Sequence, residues 1–142
     1  MKIRVLLVDD EEEFVETLAQ RLEVRDFDVT TALNGADALE RLEREDVDLV
    51  VLDLQMPGVD GISVLRSIKD LKPLVEVIML TGHATVETAI EGMKLGAFDF
   101  LIKPTETEEL VEKINRAFGR KSEQDERIRE AEVERIVKTR GW

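Results

Sequence analysis

The sequence predicts an α/β fold of the doubly wound type, in which five parallel strands have the order 2-1-3-4-5 and a helical tail follows. Three observations predict it: five short apolar runs, helical apolar periodicity between successive runs, and a final segment dominated by charged residues. Strands that alternate with helices are typical of a parallel sheet covered on both faces. Because crossovers are right-handed, few strand orders remain, and 2-1-3-4-5 is a common one for five strands.

Five apolar runs, rich in β-branched residues and leucine, are the predicted strands. They span residues 3–8, 29–32, 49–52, 75–80 and 98–102. The third run is apolar at every position, as expected for a central strand that is buried on both faces. Each run ends at a polar residue or a turn, so its length is that of a strand rather than of a helix.

The segments between the runs carry apolar residues at helical spacing. In the first helix, for example, Phe14, Leu18 and Leu22 are four residues apart and define one face. The other predicted helices have apolar faces at 38, 39 and 42, at 62, 65 and 68, at 86, 89, 90 and 93, and at 110, 111, 114, 117 and 118. Thr85 is a predicted N-cap, and Thr105 with Glu108 fits a capping box. The alternation of these five strands and five helices predicts a flavodoxin-like arrangement.

Composition divides the chain into a main domain, residues 1–119, and a charged helical tail or linker, residues 120–142. The net charge is −12, yet the last 23 residues hold seven basic and six acidic side chains, so the acidity belongs to the main domain. The tail is expected either to be a solvated helix or to pack on a partner or a second copy. An acidic domain of this kind does not favour direct binding of nucleic acid or of an anionic membrane.

Other classes of protein are also excluded by composition. No cysteine is present, so disulfides and thiolate metal sites are not available. The apolar runs are too short to cross a bilayer, and the N-terminus leads directly into a strand without a signal sequence. The expected location is the cytoplasm.

Chemically useful side chains follow four of the five predicted strands. Asp9 and Asp10 follow the first strand, Asp53 the third, Thr81 the fourth and Lys103 the fifth. Functional groups of open α/β sheets gather beyond the carboxyl ends of the strands, so these residues are expected to converge. Three crowded carboxylates favour a hard cation such as Mg²⁺, and a carboxylate that attacks phosphorus forms an acyl phosphate. The hydroxyl and the ammonium are suited to hold phosphoryl oxygens.

These motifs resemble the receiver domain of two-component response regulators. The resemblance spans residues 3–118 and rests on Asp9-Asp10, on Asp53-Leu-Gln-Met-Pro-Gly, on Thr81-Gly82 and on Lys103-Pro104. Each motif alone is weak, but the set in this order at strand ends is specific. The stretch from Gly82 to Phe100 is most similar to receivers of the nitrogen-regulation type of transcriptional activator.

The resemblance assigns a role to each of these residues. A histidine kinase or phosphotransfer protein would phosphorylate Asp53, and the chain would catalyse only its own phosphorylation and autodephosphorylation. The metal site for Mg²⁺ would comprise Asp10 directly, Asp9 through water, Asp53, and the backbone carbonyl of Gln55. Thr81 and Lys103 would contact the phosphoryl group. Phe100 would be the switch aromatic that turns inward when Thr81 moves; the alternative is a plain core residue.

Several alternatives stay open at this point. Asp9 and Asp10 could merely favour the N-terminus of the next helix, as Glu11–Glu13 are expected to do. A small phosphatase with an aspartate nucleophile would need a second acid at position 55, and a flavin mononucleotide carrier would need a hydroxyl- and glycine-rich loop after the first strand. The chain is either a stand-alone regulator or the excised receiver of a longer transcriptional activator.

The predicted output surface consists of the fourth helix, the fifth strand and the fifth helix. By resemblance, we expect phosphorylation to strengthen homodimerisation through this surface, as a shift in population rather than a new fold. The alternative is a monomer that passes the signal to a different protein.

Overall fold

The computed structural model describes residues 2–56, 58–82 and 85–140. Pro57, His83 and Ala84, which belong to the sequence motifs, lie outside the described residues, as do Met1, Gly141 and Trp142. The strands are β1 Arg4–Val8, β2 Asp28–Ala32, β3 Leu49–Leu52, β4 Gln55–Met56, β5 Val59–Asp60, β6 Glu76–Thr81 and β7 Asp99–Ile102. The helices are α1 Glu12–Val24, α2 Gly35–Arg44, α3 Gly61–Leu71, α4 Val86–Lys94 and α5 Thr107–Arg140.

The main sheet has five parallel strands in the order β2-β1-β3-β6-β7. This is the predicted order 2-1-3-4-5, which is confirmed, once β4 and β5 are set aside. Those two strands form a small antiparallel hairpin, with Gln55 opposite Asp60, in the stretch that was predicted as a loop. The hairpin leads directly into α3 and lies in the segment that follows Asp53.

The core lies on both faces of the sheet because successive strand residues point to opposite sides. Leu6 and Val8 pack with α2 and α3 on one face, whereas Val5 and Leu7 pack with α1 and α5 on the other. All four residues of β3 are buried, as the continuous apolar run predicted. A sheet covered in this way leaves its strand ends accessible at one edge, which is where polar chemistry can collect.

One predicted helix cap is confirmed and one is wrong. Thr85 caps α4: its side chain accepts a hydrogen bond from the Thr88 backbone, and the Thr88 side chain accepts one from Thr85 in return. Thr105 does not cap α5, because that helix begins at Thr107 and its first turn bonds to the Glu106 carbonyl. The Thr105 hydroxyl donates instead to the Glu109 side chain, 3.1 Å away.

Ion pairs cluster near the amino ends of β1, β3 and β6, opposite the predicted site. The buried Asp48 accepts from the backbone N–H of Arg4 at 2.9 Å and from its guanidinium at 3.2 Å. Burial disfavours the ionised form of Asp48 and acts to raise its pKa. The hydrogen bonds and charge of Arg4, together with the charge of Lys121, outweigh this effect, so the pKa of Asp48 is lowered. Glu76, 1% exposed, pairs with Arg120, whose Nε is 2.8 Å from Oε2.

Helix α5 continues without interruption across position 119 and includes most of the charged tail. Its apolar residues Leu110, Ile114 and Ala117 are buried against the sheet, whereas Ile128, Val133 and Ile136 are exposed. Arg120 and Lys121 contact the acidic residues at the base of the sheet, so the first turn of the tail touches the main domain. In the described part of the chain, no helix combines the length and apolarity that crossing a membrane requires.

Candidate functional site

The strand ends hold the predicted site residues because the hydrogen-bond ladder of the sheet continues past the strands. The Asp9 N–H donates to the Ala32 carbonyl at 3.2 Å, and the Asp53 N–H donates to the Val8 carbonyl at 2.9 Å. The Lys103 N–H donates to the carbonyl of Thr81 at 2.9 Å. Each functional side chain is therefore attached to backbone that is fixed by its neighbouring strand.

Three carboxylates and one ammonium meet at this edge of the sheet. Asp9, Asp10 and Asp53 each offer a carboxylate oxygen, and these oxygens lie within 4.8 Å of one another. Asp9 and Asp53 are 4% exposed, whereas Asp10 is open to solvent. The Nζ atom of Lys103 lies 2.6 Å from Asp9 Oδ2 and 3.7 Å from Asp53 Oδ2. The cluster thus contains three neighbouring carboxylates and one ammonium, which contacts Asp9 directly.

The pKa of Asp53 reflects its burial and its charged neighbours. Burial, helped by the adjacent Asp9 carboxylate, raises the pKa of Asp53 above its ordinary value. Three contacts oppose that rise without cancelling it: the Gln55 backbone N–H at 3.0 Å from Oδ1, the charge of Lys103, and a hydrogen bond with the Thr81 side chain. A further positive charge near Asp53 would favour its ionised, nucleophilic form.

Two predicted site residues lie at the margin of this cluster. Gln55 contacts Asp53 through its backbone N–H, while its side chain is exposed at the start of β4. Phe100 is half-buried in β7, and its register partner is Met79 of β6, two residues before Thr81. Its ring lines a groove of about 440 Å³ together with Val86, Ala89, Ile90, Met93 and Lys94 of α4. In this structure Phe100 therefore belongs to the α4–β7 surface rather than to the carboxylate cluster.

Two neighbours of Lys103 were assigned only structural roles by sequence pattern. Phe14, which the four-residue spacing placed on an apolar helix face, has its ring centroid 4.2 Å from Lys103 Nζ. Glu11 precedes α1, donates its N–H to Asp9 Oδ1 at 2.9 Å, and places a carboxylate oxygen 3.9 Å from Lys103 Nζ. Helix periodicity carries no signal for such contacts because the lysine is about ninety residues away in sequence.

The donor set fits a divalent cation with oxygen ligands. Carboxylate oxygens suit Mg²⁺, which usually takes one or two of them and keeps several waters. The exposed Asp10 leaves one side of the cluster accessible, while Asp9 and Asp53 lie at its buried side. Burial, more than the neighbouring Asp9 charge, raises the pKa of Asp53, and a cation bound here would favour its ionised form.

Comparison with known proteins decides the family. The family described as response regulator receiver domain matches residues 5–115 of this chain. The chain belongs to this family. The receiver is therefore a signalling domain of a two-component response regulator, and the matched residues include all of the strand ends described above.

The relatives of this receiver include regulators of the nitrogen-regulation type, as residues 82–100 predicted. An NtrX-like response regulator of Rickettsia conorii is 39% identical over 118 residues, which are 82% of this chain and 25% of the relative. The transcriptional regulatory protein ZraR of Salmonella typhimurium is 37% identical over 118 residues, which are 83% of this chain and 27% of the ZraR chain. The chain thus spans about a quarter of the length of these curated relatives.

Solved structures support the same assignment. A CheY-like receiver domain from Methanospirillum hungatei superposes with a TM-score of 0.84 at 27% identity, covering 87% of this chain and 99% of that one. NtrX from Brucella abortus, solved in complex with ATP, gives a TM-score of 0.83 at 31% identity over 89% of this chain and 29% of its own. The receiver fold that the sequence predicted is confirmed.

Proposed function

We propose that this receiver is a phosphoacceptor switch, in which Asp53 takes a phosphoryl group from a histidine kinase or phosphotransfer protein. The observation that carries the proposal is the cluster at the sheet edge. A buried aspartate lies 3.7 Å from a lysine ammonium, and two further carboxylates have oxygens within 4.8 Å of it. A carboxylate nucleophile beside a cation, in a site that excludes much of the water, is suited to phosphoryl transfer.

Each residue would have a separate task in the transfer. The Asp53 carboxylate attacks phosphorus, the phosphorus–nitrogen bond of a phosphohistidine breaks, and the electron pair stays on the imidazole nitrogen. The Thr81 hydroxyl, which hydrogen-bonds Asp53, would donate to a phosphoryl oxygen. Lys103 would move from Asp9 toward Asp53 and pair with a second phosphoryl oxygen. The Gln55 N–H steadies the carboxylate through Oδ1.

The residues that would hold Mg²⁺ are Asp9, Asp10, Asp53 and the Gln55 backbone carbonyl. When bound, the cation would supply positive charge that stabilises the incoming phosphoryl oxygens. Asp10 is the exposed member of the set, and Asp9 is the member that already has a cation, Lys103, at 2.6 Å. Before phosphoryl transfer, Lys103 and the metal would therefore share Asp9.

The acceptor is tested with acetyl phosphate and Mg²⁺, followed by intact mass and peptide mapping after borohydride reduction. We expect one alkali-labile phosphoryl group on Asp53 and none in Asp53→Asn, because an amide forms no acyl phosphate. Asp60→Asn is the matched control. Asp60 is an exposed aspartate whose side chain accepts from the Ile62 N–H at the start of α3, and this variant should label normally. Labelling of Asp53→Asn at the wild-type level would reject the assignment.

The surface formed by α4, β7 and α5 is the proposed output of the switch. Its exposed apolar side chains include Val86, Ile90 and Met93 of α4 and Ile102 of β7. The three α4 residues line the same groove as Phe100, and β7 pairs with β6, whose last residue is Thr81. A movement of Thr81 toward the phosphoryl group could thus reach Phe100 through adjacent strands, and Phe100 would act as the switch.

We propose a second copy of the receiver as the partner on this surface, with the helical tail from Arg120 modulating association. Sedimentation velocity with and without beryllofluoride, a phosphoryl mimic, measures this directly. The expected result is a dimer that is favoured by the mimic and weakened by Ile90→Glu, with Val24→Glu on the exposed end of α1 as the control. A monomer at high concentration in both states would instead indicate a different partner protein.

The position of this receiver in its regulator is a separate proposal. We propose that residues 1–119 form the receiver unit and residues 120–142 the tail, whose first turn contacts the receiver through Arg120 and Lys121. The output is either protein contact by a stand-alone regulator or control of a longer transcriptional activator of the ZraR and NtrX type. Sequencing the flanking gene distinguishes the two.

A further inference from the structure

Phe14 lies directly against the active-site lysine. Its ring centroid is 4.2 Å from the Lys103 ammonium nitrogen, inside the distance of about 6 Å at which a cation is attracted by an aromatic face. The Lys103 side chain is only 15% exposed, so water competes weakly for its charge. The same ring lines the small cavity next to Asp9 and Asp53 and the cavity of about 180 Å³ beside Lys103 and Pro104.

The contact matters because a lysine side chain is a flexible stem with a compact charge at its end. Three carboxylates lie within 4 Å of the Lys103 ammonium, and the nearest is Asp9, not the proposed acceptor Asp53. Close pairing with a phosphoryl group on Asp53 would draw the ammonium away from Asp9 and toward the acceptor. Contacts that hold the ammonium near Asp53 without requiring Asp9 would keep it in place during that exchange.

The ring of Phe14 provides such a contact. From 4.2 Å the ammonium can move by more than 1 Å and still lie within about 6 Å of the ring centroid. A carboxylate contact at 2.6 Å is lost by the same displacement, because hydrogen bonds depend steeply on distance and angle. The aromatic contact is therefore compatible with both positions of the ammonium.

We propose that Phe14 is a positioning residue for Lys103, whose ring holds the ammonium between Asp9 and Asp53 and keeps it available to the phosphoryl group. The proposal rests on the proposed phosphoacceptor function. Phe14 also packs against the core on the α1 and α5 side of the sheet, so a test has to separate the aromatic face from simple filling of space.

Three substitutions at this position make that separation. Phe14→Leu and Phe14→Met keep an apolar side chain but remove the aromatic face, while Phe14→Tyr keeps it. Phe98→Leu is the matched control, because Phe98 packs against the same core and has the Arg120 guanidinium 5.1 Å from its ring. Phosphorylation by acetyl phosphate is followed at saturating Mg²⁺, and Mg²⁺ affinity is measured by calorimetry on each variant.

We expect the Leu and Met variants to be phosphorylated about three- to tenfold more slowly, the range of a partly desolvated cation–π contact. Their Mg²⁺ affinity should be equal or tighter, because Lys103 then competes less well for Asp9. Phe14→Tyr and Phe98→Leu should stay within about twofold of the wild type. In a Lys103→Met background, Phe14→Leu should cause no further loss of rate.

Two results would overturn the inference. One is a parallel loss of Mg²⁺ affinity, rate and thermal stability in Phe14→Leu and Phe14→Met, which indicates that Phe14 only packs α1. The other is an equal loss of rate with Lys103 absent, which means that the ring does not act through the lysine. Failure of the phosphoacceptor function itself is distinct, because the unmodified receiver would then take no label on Asp53.

Discussion

Replacing Arg120 by alanine removes the guanidinium that faces the buried carboxylate of Glu76. Glu76 is 1% exposed, and its two oxygens lie 2.8 and 3.1 Å from Arg120 nitrogens. Breaking a buried ion pair by removing one partner costs about 3 to 5 kcal/mol. Because the Arg120 side chain is itself 45% exposed, water enters the vacated space, and we expect a loss of about 2 to 3 kcal/mol. For a domain of this size that corresponds to a decrease in Tm of about 6 to 10 °C.

Urea unfolding and a thermal melt of the whole chain measure this loss. Arg127→Ala is the control, since Arg127 is an exposed residue of the same helix and should change stability by no more than about 0.5 kcal/mol. The double variant Glu76→Leu with Arg120→Met should recover much of the stability, because an apolar pair leaves no buried charge. If Arg120→Ala were as stable as Arg127→Ala, the first turn of the tail would not be held on the sheet as described.

Three further predictions concern the metal site, the pH dependence and the loop after β3. Asp10→Ala should weaken Mg²⁺ binding, measured by calorimetry, at least tenfold more than Glu12→Ala does. Equal affinities of the two variants would contradict the proposed role of Asp10 as a metal ligand. Since the folded pKa of Asp48 is lowered, its contribution is fully present above the unfolded value of about 4 and is lost as pH falls through the folded value. The difference in free energy of unfolding between wild type and Asp48→Asn should therefore shrink below about pH 4, whereas a constant difference argues against the ion pair. Gly61→Ala should lower both Tm and Mg²⁺ affinity, because its Cβ would lie 2.3 Å from the backbone oxygen of Leu54 in that loop. An unchanged Tm would show that the loop can shift to accommodate the methyl group.

The sequence predicted the parts of the fold that depend on local pattern. Short runs rich in apolar residues marked the five strands of the main sheet, and the residues that follow them marked Asp9, Asp53 and Lys103 as neighbours in space. That prediction succeeded because the carboxyl ends of parallel strands share one edge, so no knowledge of side-chain contacts was needed. The Thr85 cap was also predictable, since a threonine before a helical pattern has a single local role.

Very short elements, exact helix starts and contacts between distant residues were not predictable in this way. The β4–β5 hairpin has two residues in each strand, too short for an alternating pattern to register. Arg120 and Lys121 look like part of a solvated charged helix, and only the folded sheet shows that their partners are 44 and 73 residues earlier in the chain. The prediction that Thr105 caps α5 was wrong because the helix begins at Thr107, and the Glu106 carbonyl is the first acceptor of its hydrogen bonds.

Because helix α5 is unbroken, a small change in its direction at the sheet displaces its far end by a larger distance. From Lys121, which contacts Asp48 at the base of the sheet, to Arg140 the helix rises about 28 Å at 1.5 Å per residue. A tilt of about 5° at the base would displace the far end by roughly 2.5 Å over that length. A rearrangement too small to alter packing inside the receiver would thus become a shift of half a helical turn at the position where the described chain ends.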